Sequence, residues 1–345
     1  MDKVITVGVD LAKSVFQVHG VDAAGAVVVR RQLRRGEVIN FFGKLSRCLV
    51  GMEACGTSHY WARQIAALGH EVRLLPPAHV KPYVKRGKKN DAADAAAICE
   101  AVSRPHMQFV PVKSASRQAM LLLHRTRDLL VRQRTMLINA FRSHMAEFGF
   151  IAGTGRANFA DLMAGLESAD EEALPEVARM ALRQLAAQIE DADARIAALD
   201  KEVVARHRRC EASRNLATIP GIGPLIASAL DAAVPDASHF RSGRQFAAWL
   251  GLVPRQNSSG GKEKLGRITK TGDRYLRRLL VIGATGLIRY KRKNIPGGLD
   301  WLTGLLAHKP VRLVTVALAN KMARIAWAVM TSGEVYREKS AVGIA

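Results

Sequence analysis

Residues 4–33 read VITVGVDLAKSVFQVHGVDAAGAVVVRRQL and contain three segments with the character of β-strands. The first is a short apolar run that ends in an acid. The other two alternate apolar and polar residues on either side of DAAG, which predicts a hairpin. Further along, helical patterns near 36–46 and 57–68 alternate with the strand-like segments CLVGME and EVRLLPP. Three meandering strands followed by alternating helices and strands predict a mixed α/β sheet.

This order of elements is the one expected of a ribonuclease-H-like fold, and we assign it to a first domain at residues 1–112. The next stretch, 113–208, repeats apolar residues at heptad spacing and predicts two long helices joined by a segment around 149–174. The predicted seam positions are Leu122, Leu129, Met136, Leu185, Ile189, Ala192, Ile196, Leu199 and Val203. Heptad spacing alone does not show which helix packs against the seam. The helices can pack against each other within one chain, or they can join copies of the chain.

Residues 209–345 predict a third, mostly helical domain. The segment LATIPGIGPLIASAL resembles a helix-hairpin-helix element, in which Gly221 and Gly223 let backbone N–H groups approach a phosphate. A plain tight turn between two helices is the alternative. A glycine- and cation-rich loop follows and leads into another helix, and the apolar segment VRLVTVALANKMARIAWAVM near the end predicts a core helix.

The charge of the chain predicts a polyanionic partner. Its 345 residues carry a net charge of +22, and 48% of them are hydrophobic, so it is a folded protein and not a disordered basic tail. Nucleic acid is the usual partner of such a protein. No stretch approaches eighteen uninterrupted apolar residues, so we predict no membrane partner.

The four cysteines are scattered, which argues against a zinc ribbon or a disulfide framework and predicts a cytoplasmic location. No nucleotide-binding loop motif is present.

Two pairs of acids lie where phosphoryl-transfer chemistry would need them. Asp91 and Asp94 lie one helical turn apart, and Asp10 and Glu53 each end an apolar strand. If the first and fourth strands are adjacent, the helix that begins near Asp91 can bring all four carboxylates together. Oxygen ligands alone suit Mg²⁺ or Mn²⁺. The alternative for Asp91 and its neighbour Asn90 is ordinary helix capping. The cations that precede this helix would hold the polyanion: Lys85, Arg86, Lys88 and Lys89.

The sequence resembles the transposases of the insertion-sequence-110 family, the DEDD transposases related to the Piv site-specific DNA invertase. The segments that carry the resemblance are VGVDLAKSVFQVHG, GMEACGTSHYW, KKNDAADAAAI, IPGIG and WLGLVPRQNSSGGKEKLGRITKTGDRYLRRLL. They cover both ends of the chain, whereas the helical middle matches in kind only. The last segment is most similar to the insertion-sequence-1111 branch.

This resemblance implies a recombinase with a RuvC-like domain and a separate transposase domain whose serine joins the active site. It assigns metal binding to Asp10, Glu53, Asp91 and Asp94, and the nucleophilic hydroxyl to Ser259. Serine among glycines is otherwise an ordinary flexible loop, and spacing alone does not separate Ser258 from Ser259. The cations expected around the scissile phosphate are Lys262, Lys264, Arg267, Lys270 and Arg274.

The resemblance also implies the partners of the protein. They are double-stranded donor and target DNA, a structured bridge RNA that pairs with both, and further copies of the chain in a dimer or tetramer. Aromatic residues make up only 6% of the sequence, which favours contact with nucleic-acid backbones over extensive base stacking. Three alternatives remain at this point. They are a RuvC-like nuclease that uses water, an invertase acting at a fixed site, and a non-enzymatic nucleic-acid-binding protein.

Overall fold

A computed structural model describes residues 4–84, 90–153, 155, 158–257, 264–294 and 300–337. The chain forms two compact units, Met1–Gln118 and Ala119–Ala345. The first contains a mixed sheet with helices and the second is mainly helical, as the sequence predicts. The finer division at residues 112 and 208 stays a prediction.

Among its described residues, the first unit contains five strands and four α-helices. The strands are β1 (Thr6–Leu11), β2 (Val15–Val21), β3 (Val27–Arg34), β4 (Leu49–Glu53) and β5 (Glu71–Leu75). The helices are α1 (Val38–Gly43), α2 (Ser58–Ala67), α3 (Pro77–Val80) and α4 (Asp91–Val102), with short 3-10 turns at Arg35–Glu37 and Lys81–Tyr83. The predicted hairpin is present between β2 and β3, where Asp22 accepts hydrogen bonds from the backbone N–H groups of Ala24 and Ala26.

The five strands lie in the order β3-β2-β1-β4-β5. Strands β1, β2 and β3 pair antiparallel, whereas β4 runs parallel to both β1 and β5. The adjacency of β1 and β4, on which the predicted acidic site depends, is therefore present.

Helices cover both faces of this sheet. Because side chains alternate along a strand, Val7 and Val9 of β1 point to one face, where they join a core that includes Phe42 of α1 and Ile65 of α2. The opposite face is covered by α4, whose Ile98 and Val102 are fully buried.

The second unit contains nine α-helices and two strands among its described residues. The α5 helix (Ala115–Ala146) begins just before the unit boundary. The others are α6 (Phe159–Ser168), α7 (Glu176–Arg209), α8 (Glu211–Ala217), α9 (Pro224–Ala233), α10 (Gly243–Trp249), α11 (Arg274–Asn294), α12 (Asp300–His308) and α13 (Val311–Ser332). The strands β6 (Pro254–Gln256) and β7 (Leu265–Ile268) form an antiparallel pair.

The two predicted long helices are α5 and α7, which run antiparallel. Arg127 pairs with Asp200, and the Arg134 guanidinium lies 2.6 Å from a carboxylate oxygen of Asp193. The residue number rises along one helix as it falls along the other, which is the signature of antiparallel neighbours. An antiparallel pair within one chain is thus present.

The predicted seam of α5 does not face the interior of the chain. Leu122, Leu129 and Met136 are 65%, 46% and 69% exposed. The buried positions of this helix are His124, Ile138, Phe141 and Met145. On α7, by contrast, the predicted seam residues Ile189, Ala192, Ile196 and Val203 are buried.

One hydrophobic core of the second unit is built from α8, α9, α10, α11, α12 and α13, and another joins α5, α6 and α7. Among the described residues, α13 is the one helix long and apolar enough to cross a membrane. A single such helix is weak grounds for a membrane span, and Leu318, Met322 and Ala326 of α13 are buried in the core. The expectation that this segment is a core helix is confirmed.

The glycine-rich turn joins α8 to α9. Gly221 has φ +84°, a left-handed conformation that glycine adopts without strain. A Cβ atom added to Gly283 of α11 would lie 2.2 Å from the Gly221 carbonyl oxygen, so this turn packs closely against α11.

Candidate active site

Strands β1 and β4 bring two acids to the same edge of the sheet. Their parallel register pairs Val9 with Met52, so Asp10 and Glu53 follow at adjacent positions, at the carboxyl ends of the two strands. Both side chains point to the face covered by α4, since each lies two residues beyond a glycine that contacts that helix. The pairing of the strands therefore explains the positions of two of the four predicted acids.

Glycines let α4 lie directly on the strands. A Cβ atom at Gly8 would lie 2.2 Å from the carbonyl oxygen of Ala95 and 2.4 Å from the backbone nitrogen of Cys99. At Gly51 it would lie 2.8 Å from the side chain of Val102. The repeated pattern of glycine two residues before an acid, in VGVD and VGME, is the sequence signal for this packing, and the prediction of the site used the acids without the glycines.

The first residues of α4 show which side chain caps the helix. Asn90 is the N-cap residue, and its side-chain oxygen accepts a 2.8 Å hydrogen bond from the backbone N–H of Ala93. Asp91 and Asp94 lie in the first turn, where the positive end of the helix dipole favours acids. Because Asn90 caps the helix, both carboxylates remain available for another role.

Three of the four predicted acids form a tight cluster. Asp10, Asp91 and Asp94 each present a carboxylate oxygen, and these oxygens lie within 4.8 Å of one another. Burial raises the pKa of Asp10 above its ordinary value, and repulsion from Asp94 and Asp91 adds to this effect. None of the three forms an ion pair with another described residue.

Glu53 lies near this cluster but is not one of its three members. Burial raises its pKa, and the charges of Asp10 and Asp94 raise it further. These interactions put Glu53 within electrostatic reach of the other acids.

This donor set fits a divalent cation. The cluster offers only carboxylate oxygens, the ligands that hard Mg²⁺ and Mn²⁺ prefer. Mutual repulsion raises the free energy of the ionised cluster, and a bound cation would relieve that repulsion. The arrangement is typical of sites that hold metal ions for phosphoryl transfer.

Strands β6 and β7, which were not predicted from the sequence, flank residues 257–264, the segment that contains Ser259 and that we call the serine loop. The backbone N–H of Asn257 donates to the Lys264 carbonyl at 2.9 Å, which continues the strand pairing beyond β6. Four of the predicted nucleic-acid-binding cations lie directly before β7, on it or after it and are exposed: Lys264, Arg267, Lys270 and Arg274. Lys270 has φ +57° and donates its backbone N–H to Gly251.

Several predicted site residues lie outside the described residues. In the first unit these are Lys85, Arg86, Lys88 and Lys89. In the second they are Ser259, its neighbour Ser258, and Lys262.

A strongly basic chain is typical of proteins that act on nucleic acid, and the carboxylate cluster at the edge of its mixed sheet offers the oxygen ligands that divalent cations prefer. Comparison with known proteins narrows this class. Residues 7–150 match the DEDD transposase family model, and residues 213–296 match the model described as transposase IS116/IS110/IS902 family.

Relatives that match nearly the full length of the chain are also transposases. The chain is 51% identical over 332 residues to a probable family 20 transposase of Pseudomonas aeruginosa, covering 96% of this chain and 98% of the relative. It is 39% identical to the transposase for insertion sequence element IS1328 of Yersinia enterocolitica, covering 97% and 99%. It is 37% identical to the transposase for insertion sequence element IS1111A of Coxiella burnetii, covering 98% and 92%.

The chain belongs to the insertion-sequence-110 family of DEDD transposases. The predicted family is thereby confirmed. Membership implies cutting and rejoining of DNA, and it suggests the use of a divalent metal.

Proposed function

We propose that this protein is a recombinase of a mobile insertion sequence that exchanges DNA strands through a serine-linked intermediate. The observation that carries the proposal is the cluster of Asp10, Asp91 and Asp94 in a chain of this family. The first unit would then be a RuvC-like domain, since the order and directions of its five strands are those of a ribonuclease-H-like sheet.

The four acids are proposed to hold Mg²⁺ or Mn²⁺. When bound, such an ion neutralises charge on the reacting phosphate and favours ionisation of the attacking hydroxyl. Asp10, Asp91 and Asp94 supply the tight part of the site, and Glu53 completes it from the neighbouring strand. Because α4 packs on β1 through Gly8, the first turn of the helix is held in position before substrate arrives.

Ser259 is proposed to be the nucleophile. Its Oγ attacks a DNA phosphorus, a P–O bond of the DNA backbone breaks, and the released strand leaves with a hydroxyl end. The hydroxyl of a new strand then attacks the phosphoserine ester, which restores the serine and reseals the backbone. The number of phosphodiester bonds is conserved, so the exchange needs no nucleotide hydrolysis.

The cations in and after the serine loop are proposed to stabilise the charge of the transition state. Lys264, Arg267, Lys270 and Arg274 are exposed, and all four are close in sequence to the serine, as is Lys262. For Lys262 the proposal rests on sequence position alone. The run Lys85, Arg86, Lys88 and Lys89 immediately precedes the acidic turn of α4, which supports a role in holding the DNA backbone there.

Partners other than DNA follow from the family resemblance. We propose that a structured bridge RNA selects donor and target, with the protein contacting mainly backbones. The turn before α9 is proposed to contact a phosphate in the manner of a helix-hairpin-helix. A side chain added at its N-cap residue Gly223 would meet no atom within 4 Å, so the start of the helix is open to a ligand.

Self-association is proposed to use the exposed seam of α5. Leu122, Leu129 and Met136 recur at intervals of seven and are all exposed. A heptad stripe of this kind on a 32-residue helix is suited to a coiled coil with another copy. Exchange between two duplexes requires several active sites, which favours a dimer or tetramer.

The carboxylate site is tested by replacing each acid with its amide: Asp10→Asn, Glu53→Gln, Asp91→Asn and Asp94→Asn. Each variant is expected to lose at least a hundredfold in strand exchange and to remain folded, because the substitution removes charge without changing shape. Thermal melts with and without Mg²⁺ give a second readout. Wild type should gain stability from the ion, and the variants should gain little. Wild-type activity in the Asp91→Asn and Asp94→Asn variants would refute the proposed site.

A further inference from the structure

The second unit contains a groove of about 1950 Å³ along α13. Its other walls are the start of α10, the β6–β7 pair and Trp301 of α12. We call it the α13 groove. Neither family model reaches α13, since the second match ends at residue 296.

Cations surround this groove. The six that line it are Arg244, Arg267, Lys270, Arg312, Lys321 and Arg324, and no carboxylate is among its described lining residues. The sequence shows the same bias. Residues 240–272 contain one acid, Glu263, and residues 309–333 contain none. The groove therefore attracts a polyanion.

The groove also exposes apolar surface. Trp301 and Leu313 line it and are 41% and 56% exposed. The Lys321 ammonium lies 4.4 Å from the centre of the Trp301 ring, so the cation and the aromatic face are neighbours. The opposite face of α13 is buried in the core, which fixes the helix as a rigid wall.

A surface that combines cations with exposed apolar side chains favours unpaired nucleic acid over a duplex. A duplex stacks its bases inside and offers mainly phosphates, so Trp301 and Leu313 would gain little from it. An unpaired strand offers both a charged backbone and apolar base faces that stack on aromatic rings. Strand exchange necessarily separates strands, and the family acts on DNA.

We propose that the α13 groove binds unpaired DNA, with a base against Trp301 and phosphates on Arg312, Lys321 and Arg324. This inference rests on the proposed strand exchange and adds to it a site for the separated strand. Binding needs neither the carboxylates nor Ser259. Measured in EDTA, it remains testable even if the proposed chemistry is wrong.

The experiment compares fluorescently labelled dT20 with a labelled 20-base-pair duplex, by anisotropy in EDTA over a series of salt concentrations. Trp301→Ala is expected to weaken dT20 binding about tenfold, since stacking one base contributes roughly that much. Duplex binding should change less than about twofold. The triple variant Arg312→Ala/Lys321→Ala/Arg324→Ala should weaken dT20 binding more strongly and lower the salt slope by about two.

Matched controls use exposed residues of the same unit that do not line the groove. Tyr290→Ala tests loss of an aromatic ring, and Arg208→Ala/Arg209→Ala/Arg289→Ala tests an equal loss of charge. Trp301→Phe keeps an aromatic face and should retain most of the dT20 affinity, which guards against misfolding of the alanine variant. Equal weakening of dT20 and duplex by Trp301→Ala would overturn the proposal. So would tighter wild-type binding of rU20 than of dT20, lost in the same variant, since that would assign the groove to RNA.

Discussion

At the scale of single residues, two polar clusters differ in how their side chains are partnered among the described residues. The acids of the first unit repel one another, and none of Asp10, Asp91 and Asp94 is in an ion pair with a described residue. His124 of the second unit is instead fully partnered. Its Nδ1 lies 3.2 Å from the Tyr275 hydroxyl and its Nε2 lies 3.1 Å from the Ser228 hydroxyl. A neutral imidazole, with one donor and one acceptor, satisfies both. A bound cation would neutralise the charge of the acids, whereas both ring nitrogens of His124 already have hydrogen-bond partners.

This difference predicts a pH-dependent stability that depends on His124. Burial lowers its pKa to about 4, and Arg127 contributes to the same shift. Because the folded pKa lies below the unfolded value of 6.5, the stabilisation is complete above pH 6.5 and is lost as the pH falls toward 4. Over that range the loss is about 3 kcal/mol of unfolding free energy.

Denaturation midpoints of wild type and His124→Gln at pH 7.5, 5 and 4 measure this effect. Glutamine keeps a donor and an acceptor but does not titrate in this range. We expect the gap between the two proteins to shrink or reverse as the pH falls. Parallel profiles would show that His124 does not titrate as its burial requires.

At the scale of secondary-structure elements, close packing of α4 on β1 positions the acids. We predict that Gly8→Ala destabilises the first unit by about 2 kcal/mol or more, because the new methyl group would meet the backbone of Ala95 and Cys99. It should also abolish the Mg²⁺-dependent gain in melting temperature. Gly43→Ala is the control, since a Cβ atom there meets nothing within 4 Å. If both variants melt like wild type, α4 does not depend on this contact.

The α5 seam gives a second prediction at this scale. Leu129→Glu/Met136→Glu should lower the oligomeric state without unfolding the chain, because charges cannot be buried in a coiled-coil seam. Thr126→Glu/Gln133→Glu adds the same charge at the same spacing to other exposed positions of the helix, and should leave assembly intact. Sedimentation velocity measures both. A wild type that sediments as a monomer would refute self-association through this face.

Strands and helices also differ in how far they can be predicted from the sequence. Strands β1, β2, β4 and β5 were predictable because their apolar residues face buried layers. The inward face of α5 was not, since it carries His124, Arg127 and Arg134. These polar side chains find partners such as Tyr275, Asp200 and Asp193, which lie 59 or more residues away in sequence. Periodicity cannot supply such partners. β6 and β7 were missed because they are only three and four residues long and almost wholly exposed.

At the scale of the whole molecule, composition and motifs predict different properties of the protein. The net charge of +22 predicts nucleic-acid binding, and the resemblance at both ends of the sequence predicts the family. The acids could be chosen from strand ends and helical spacing. The serine could not, because a hydroxyl beside another serine and two glycines has no distinguishing pattern. Ser259 rests on the family motif alone, and it separates a recombinase from a nuclease that uses water.

The most direct test is a denaturing gel of end-labelled DNA from a reaction stalled before rejoining. We predict a protease-sensitive protein–DNA adduct for wild type. Ser259→Ala should lose both the adduct and the recombined product while binding DNA normally, and Ser258→Ala should retain substantial activity. Full cleavage by Ser259→Ala, with no protease-sensitive band for wild type, would contradict the account and identify water as the nucleophile.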